Sequence, residues 1–354
     1  MKILFLTRFG PQGASSRLRS IQYLPWFEAA GIQCVISSLF DDPMLLHKYK
    51  IGHYSVWEVL SAYKRRVQSL LLSHNFDLIW IEKEALPWFP AWFEKWLLRK
   101  VPYVLDFDDA IFQNYDLHPS AWIRYFFGSR IDRLMAGAQV ITAGNGYLAA
   151  RAAAAGARQV VVVPTVLDLV RYIPKAMHVT TPKPIVVWIG SPSSAQYLLE
   201  LAQPLAALAL LSPFTLRVIG GGDVSMPGVD TEVLPWSAES EAALIAACDV
   251  GIMPLRDTPW EQGKCAYKLI QYMACALPVV ASPVGANLDV VVTGETGYFA
   301  ESAGDWIEKL HLLLSDAPLR QRLGSAGRVR VADHYCLQRA APLLLQLFRA
   351  MERQ

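Results

Sequence analysis

Three carboxylates fall within four residues, at Asp106, Asp108 and Asp109, directly after the apolar run 103–105. At the carboxyl end of a strand such groups can take a proton from a hydroxyl, bind hydroxyls or ligate a metal. Asp108 and Asp109 are the candidates for a base, against a plain turn capped by Asp109. Metal is the least favoured role, because no clean set of partner ligands accompanies them. Glu82 and Glu84, after the preceding strand, are weaker candidates for the same edge. A second constellation runs over residues 260–282, where a polar loop leads into a helical pattern carrying Lys264 and Lys268. A spacing of four puts both lysines on one side of a helix at its amino end, where the dipole also favours an anion such as a diphosphate. Gln271, one turn deeper, has an amide suited to sugar hydroxyls. The plain alternative is a solvated loop and an amphipathic helix.

The loop over residues 10–19 offers a third set: Gly10 and Gly13, then Arg17 and Arg19. Glycine lets backbone approach a ligand, and the helix after the loop favours an anion. The alternative is a turn with Ser15 as N-cap. The spacing is not the dinucleotide fingerprint, and the second strand ends in Ser37 and Ser38 rather than in an acid. Gly220, Gly221 and Gly222 before Asp223 are a turn that carries little on its own. Trp88, Trp92 and Trp96, spaced by four, read as one face of a helix with Lys95, Arg99 and Lys100 nearby. We take that face as packed on the core, with a membrane-surface helix as the alternative.

These residues need strands and helices to hold them. Short Val- and Ile-rich runs alternate with helical patterns from end to end, the signature of parallel sheets covered on both faces. The runs 3–6, 34–37, 78–81, 103–105, 139–142 and 160–163 are the strands of a first half, with helices expected over 15–30, 56–73, 91–99, 121–136 and 146–155. A second set begins afresh at 185–189 and continues through 215–219, 232–234, 250–253, 279–281 and 298–299, with a helix over 195–211 among those between them. We therefore expect an α/β architecture: a domain over 1–168, a Pro-rich linker over 169–184 and a second domain over 185–335. A final helix, in 336–354, has no sheet partner left in its own domain.

Apolar residues are 53% of the 354, and 33 Lys and Arg against 31 Asp and Glu leave a net charge of +2. The chain can bury two cores, and no bulk electrostatic case exists for nucleic acid as a partner. Five scattered cysteines without a CxxC pair fit a reduced cytoplasm better than a disulfide framework or a zinc ribbon. The opening residues read as a buried strand rather than a signal peptide. The uncharged stretch 269–288 is interrupted by Pro278, Pro283 and Gly285, which argues against a membrane span.

The residues 249–254, 267–285 and 294–298 resemble the C-terminal domain of GT-B-fold glycosyltransferases, most like the large retaining family 4. Residues 1–13 fit the same pattern less specifically. The resemblance implies two facing Rossmann-like domains with a cleft between them, and a last helix that crosses back to the first. It implies transfer of a sugar from a nucleoside-diphosphate sugar to a glycan or lipid-linked acceptor, with retention, without a metal and without a further cofactor. The family's two glutamates fall here at Gly263 and Gln271, and its Arg and Lys after the first strand of the second domain are replaced by Ser191, Pro192, Ser193 and Ser194, following Gly190. The cationic work then falls to Lys264, Lys268 and Arg17, with Ser191, Ser193 and Ser194 as hydroxyl and backbone donors. On this reading Asp108, Asp109 and Lys264 are the catalytic candidates. Gly13, Arg17, Gly190, Ser191, Ser193, Ser194, Lys264, Lys268 and Gln271 are the donor-binding ones. A cytoplasmic location is implied as well, with peripheral attachment to the inner face of the membrane left open. Two other classes stay open: a nucleotide-sugar epimerase of the same fold, and a degenerate transferase kept as a binding subunit.

Overall fold

The computed structural model describes residues 1–174 and 183–352, which divide into two units. The first comprises Met1–Thr165, Gly263–Cys265 and Ala340–Gln354; the second comprises Val166–Gln262 and Ala266–Arg339. Of the segment expected as a linker, residues 175–182 lie outside the described residues. The part before them belongs to the second unit, where Leu167 bridges to Cys336 and Tyr172 is buried.

Among the described residues the first unit holds a six-stranded parallel sheet of β1 (Lys2–Phe9), β2 (Gln33–Phe40), β3 (Leu78–Glu82), β4 (Tyr103–Phe107), β5 (Val140–Ala143) and β6 (Val160–Val162), in the order β2-β1-β3-β4-β5-β6. Every residue of β3 and β4 is buried, as expected of central strands covered on both faces. One face packs Leu4, Leu6, Ile79, Ile81 and Leu105 against Leu97 and Leu98 of the helix Ala91–Leu98. On the other side, Phe348 of the final helix Leu337–Glu352 meets Phe27 at 5.0 Å and Trp80 at 5.6 Å between ring centroids.

The tryptophan face departs from expectation. Trp88, Trp92 and Trp96 are 48%, 68% and 47% exposed, and the helix buries Ala91, Glu94, Leu97 and Leu98 instead. Trp88 precedes the helix in left-handed backbone, φ +64°. A spacing of four marks a face but not which face the sheet covers. The helix expected over 15–30 is also divided, into Ala14–Arg19, a 3-10 turn Ile21–Tyr23 and Leu24–Ala29. Ser20 leaves the helical region at φ −132°, and Pro25 sits in the first turn of the last piece, where its missing N–H costs nothing.

The second unit repeats the plan with β7 (Ile185–Ile189), β8 (Thr215–Ile219), β9 (Asp230–Leu234), β10 (Val250–Met253), β11 (Val279–Ala281) and β12 (Gly297–Phe299). All run parallel among the described residues, in the order β12-β11-β10-β7-β8-β9. The helix Tyr267–Ala274 is tied to β7 by the Ile189 N–H, which donates to the Tyr272 hydroxyl at 2.9 Å. In each sheet the carboxyl ends of the strands open onto the loops that carry the candidate polar residues.

Candidate functional site

Asp106 is the last but one residue of β4 and points into the fold. Arg19 grips it with two hydrogen bonds, 2.9 and 2.6 Å, and Thr142 donates to it at 2.7 Å. Burial opposes the charge on Arg19, yet the Asp106 carboxylate overrides it and the guanidinium pKa rises. Arg19 is therefore a buried structural cation rather than an anion ligand at the loop. Asp108 and Asp109 come after the strand ends, so their carboxylates turn to its edge. Lys83 stands between them, 2.9 Å from Asp108 Oδ1 and 3.1 Å from Asp109 Oδ2. Its Nζ also donates to Ser15 Oγ at 3.1 Å, and Ser15 Oγ donates to Asp108 Oδ2 at 2.5 Å. Lys83 reaches this position because the chain leaves β3 in left-handed backbone, φ +63°, with its N–H on the Asp106 carbonyl at 2.8 Å.

The two carboxylates are consequently unlike. Burial disfavours the Asp108 charge, but Lys83, Arg19 and the Ser15 hydroxyl outweigh it and hold its pKa below the usual range. Asp109 moves upward: burial and the neighbouring Asp108 charge outweigh Lys83 and Lys264. With 32% of its side chain exposed against 12% for Asp108, Asp109 is the more accessible of the pair. A carboxylate that is reachable and raised toward working pH is the better proton acceptor.

Glu82 and Glu84 do not join them. Glu82 accepts from Ser16 at 2.6 Å and from the Arg8 N–H at 3.0 Å, and burial raises its pKa. Glu84 is held by Arg130 and Tyr115 at 2.5 and 2.7 Å. Ser15 is not the N-cap, since the helix Ala14–Arg19 begins at a Gly13 N-cap. Gly13 is dictated by packing: a Cβ there would stand 2.3 Å from that of Phe9. Arg17 lies at the surface of the same turn, donating to the Pro11 carbonyl at 3.2 Å.

Lys264 and Lys268 do not share a helix. Ala266 is left-handed, φ +52°, and the helix starts at Tyr267. Gly263–Cys265 groups with the first unit, where Asn145 donates to the Lys264 carbonyl at 2.9 Å and Cys265 Sγ donates to the Asp108 carbonyl at 3.1 Å. Lys264 adds its charge near Asp109. A side chain at 263 has no room, because a Cβ would lie 2.6 Å from the Ala110 Cβ.

In the second unit Lys268 Nζ lies 4.2 Å above the ring of Trp188, a buried residue of β7. Gly190 follows that strand, and its N–H donates to the Ile219 carbonyl at 3.0 Å. The next turn gathers hydroxyls: Ser191 Oγ is 2.9 Å from Ser193 Oγ and 3.3 Å from Ser194 Oγ. Gln271, expected to meet sugar hydroxyls, is instead buried. Its amide donates to Tyr172 Oη at 3.0 Å, and Tyr172 in turn donates to Glu241 at 3.0 Å. One turn into the helix, the inward stripe that carries Tyr272 and Met273 takes Gln271 with it.

Residues 183–316 match the family described as glycosyl transferases group 1. The match covers the strands β7 to β12 and the loops at their carboxyl ends. A D-inositol 3-phosphate glycosyltransferase of Pseudarthrobacter chlorophenolicus is 31% identical over 139 residues, 39% of this chain and 31% of that protein. The capsular polysaccharide biosynthesis glycosyltransferase CapM of Staphylococcus aureus is 38% identical over 72 residues, 20% of this chain and 19% of that protein. The chain thus spans about a third or less of the length of these curated relatives. Among solved structures, HepE of Anabaena in complex with UDP and glucose has a TM-score of 0.73 at 15% identity, covering 99% of this chain and 100% of that one. That likeness is one of fold, the GT-B fold.

Gly190, the serines, Lys268 and Gln271 all fall inside the matched segment, as does Lys264. Lys83 lies outside it and escaped sequence reasoning. Its only signal was a lysine between two glutamates after a strand, which reads equally well as a solvated turn. Glu261, two residues too early in the sequence to stand for the family's first glutamate, is buried, and Tyr197 and Thr258 both donate to it.

Proposed function

We propose that the protein is a glycosyltransferase that moves a sugar from a nucleoside-diphosphate sugar to an acceptor hydroxyl, with retention and without a metal, in the synthesis of a cell-envelope or other glycan. The observation that carries this reading is the group 1 match across residues 183–316, which includes the edge bearing Gly190, Ser191, Ser193, Ser194 and Lys268. The UDP held by HepE and the glycan named for CapM support the donor and acceptor classes. In the reaction the bond from the anomeric carbon to the diphosphate oxygen breaks and a bond to the acceptor oxygen forms. With retention, the acceptor proton passes to the departing diphosphate. Lys268 is the cation of the second unit that we assign to the leaving group; Lys264 and Arg17 are the donor-binding candidates of the first unit, each at its own loop. Stabilising the developing charge with fixed cations and N–H donors is electrostatic preorganisation. Asp109 orients the acceptor hydroxyl by accepting a hydrogen bond from it while the proton goes to the diphosphate; Asp108 keeps Lys83 in place. A cytoplasmic reaction belongs to the same proposal, in keeping with five cysteines that are all free thiols.

The test is a thermal-shift screen with UDP, GDP, ADP and CMP, followed by transfer from the matching labelled sugar nucleotide. A ligand at 100 times its Kd stabilises by about 2.7 kcal/mol, so a nucleoside diphosphate should raise Tm and a labelled glycan should follow. No stabilisation by any nucleotide would overturn the proposal. A second reading, a binding subunit without turnover, is favoured by Gly263 and Gln271, one crowded against Ala110 and the other buried in the core. Stabilisation with no transfer to a membrane-extracted acceptor pool would select it.

A further inference from the structure

We infer that Glu261 is a positioning residue for the donor: through Tyr197 it holds the turn of Ser191, Ser193 and Ser194 in place. The inference rests on the assignment of that turn to the nucleoside diphosphate. Glu261 lies in the helix Pro259–Gln262, in the connection after β10, and is 5% exposed. Its two oxygens take one hydroxyl each, Oε1 from Tyr197 and Oε2 from Thr258. Burial, and then the hydrogen bond to Glu261, push the Tyr197 pKa up, so the phenol keeps its proton and donates. With both oxygens engaged and almost no exposed surface, Glu261 cannot itself meet a sugar. It acts through what it holds.

What it holds is the connection after β7. Ser191 precedes the 3-10 turn Pro192–Ser194, and Ser194 donates from both its N–H and its Oγ to the Ser191 carbonyl at 2.9 Å. The helix Ala195–Leu199 follows directly, with Tyr197 buried in it. β7 and β10 are neighbours in the sheet, so the bond from Tyr197 to Glu261 ties two adjacent connections together, across 64 residues of sequence. A second brace runs between the same two connections: Arg256 Nε donates to Glu200 Oε1 at 2.5 Å, and the guanidinium lies 5.9 Å over the Tyr197 ring. Stability alone does not call for this arrangement, since apolar residues of similar volume serve a buried site as well or better than charged ones. Hydrogen bonds fix distance and direction, and a fully satisfied buried network specifies one geometry. The turn needs that. Residues 191–194 include no Lys or Arg, so its short serine and backbone donors must already stand at hydrogen-bond distance from the phosphate oxygens.

The test is calorimetry on the full chain with the nucleoside diphosphate that the screen of UDP, GDP and ADP selects, and with its nucleoside. E261A and Y197F should each weaken diphosphate binding by about tenfold, the scale of one lost hydrogen bond, and leave nucleoside binding unchanged. E261Q should bind the diphosphate within about twofold of the parent, because a Gln carbonyl accepts from one hydroxyl while its NH2 donates to the other. A role in stability alone would lower Tm and weaken both ligands alike. Y197F keeps the ring and its packing, so it decides the matter where E261A does not fold. Three outcomes would overturn the inference: diphosphate binding by Y197F equal to that of the parent, equal losses for the two ligands, or E261Q no better than E261A. A parent protein that binds none of the nucleotides overturns the donor assignment and the inference with it, and its own titration tells that failure from the others.

Discussion

Each sheet presents a lysine near its carboxyl edge, and the two lysines live in opposite surroundings. Lys83 lies between Asp108 and Asp109 with Ser15 as a third oxygen partner. Lys268 rests on the face of Trp188 beside a turn of hydroxyls. The first is a cation that shapes carboxylates, pulling one pKa down while the other stays raised. The second belongs to an edge rich in glycine and serine, where the protein supplies dipoles. A chain built twice on one plan sets its two lysines in different company through the different loops at its strand ends.

The comparison breaks most visibly at Lys83. Replacing it with Ala leaves two carboxylates without the buried cation between them, and losing one partner of a buried pair costs about 3–5 kcal/mol. Urea unfolding should show that loss, while Lys268→Ala should leave stability almost unchanged. Equal losses for the two variants would mean that the lysines play the same role.

Asp109→Asn comes next. It should lower kcat by about 100-fold, the scale of losing a group that orients a reactant, with little change in the Kd for the nucleoside diphosphate. The same variant sharpens the pH argument. Asp109 holds its proton more tightly folded than unfolded, so its contribution to stability is present in acid and lost as pH rises through its folded pKa. Asp108 does the reverse: its contribution is present above the ordinary carboxylate range and lost as pH falls through its depressed folded pKa. The two partly cancel in the parent protein. With Asp109 removed, stability should fall more steeply on acidification, and melting curves from about pH 6 to about pH 3, spanning the ordinary carboxylate range, would show whether it does.

A hydrogen bond to a charged group contributes about 1.5–3 kcal/mol, so Lys268→Ala should weaken nucleoside diphosphate binding by roughly 10–150-fold. Calorimetry with the nucleoside alone should show almost no change, because it has no phosphate to lose. The smallest effect is expected at Gly263→Ala. Its Cβ would lie 2.6 Å from that of Ala110, and such crowding costs about 1–3 kcal/mol, visible as a lower Tm with donor affinity retained.

Much of this architecture was legible in the residue order. Buried parallel strands need unbroken apolar runs, so β3, β4 and β7 announce themselves, and the polar residues after them must lie at the carboxyl edge. Asp108 and Asp109 were found on that ground, and the Gly190 turn through the family resemblance. Lys83 was not, because its role depends on a left-handed residue after β3 and on the register that sets Glu82 opposite Asp106. The pairing of Lys264 with Lys268 failed for a related reason. A spacing of four implies a shared face only if the backbone is helical throughout, and Ala266 is not.

The sequence by itself determined the alternation of strands and helices, the two sheets and the edge where chemistry can occur, because burial of apolar side chains is a property of local pattern. Only the tertiary structure decided which charges are neutralised and which faces stay wet. Arg19 and Glu84 are consumed by partners 87 and 46 residues away, and Trp92 and Trp96 are exposed because Leu97 and Leu98 hold the opposite side of their helix. A side chain's charge state and exposure are set by neighbours that the folded chain brings together, and those neighbours are distant in sequence.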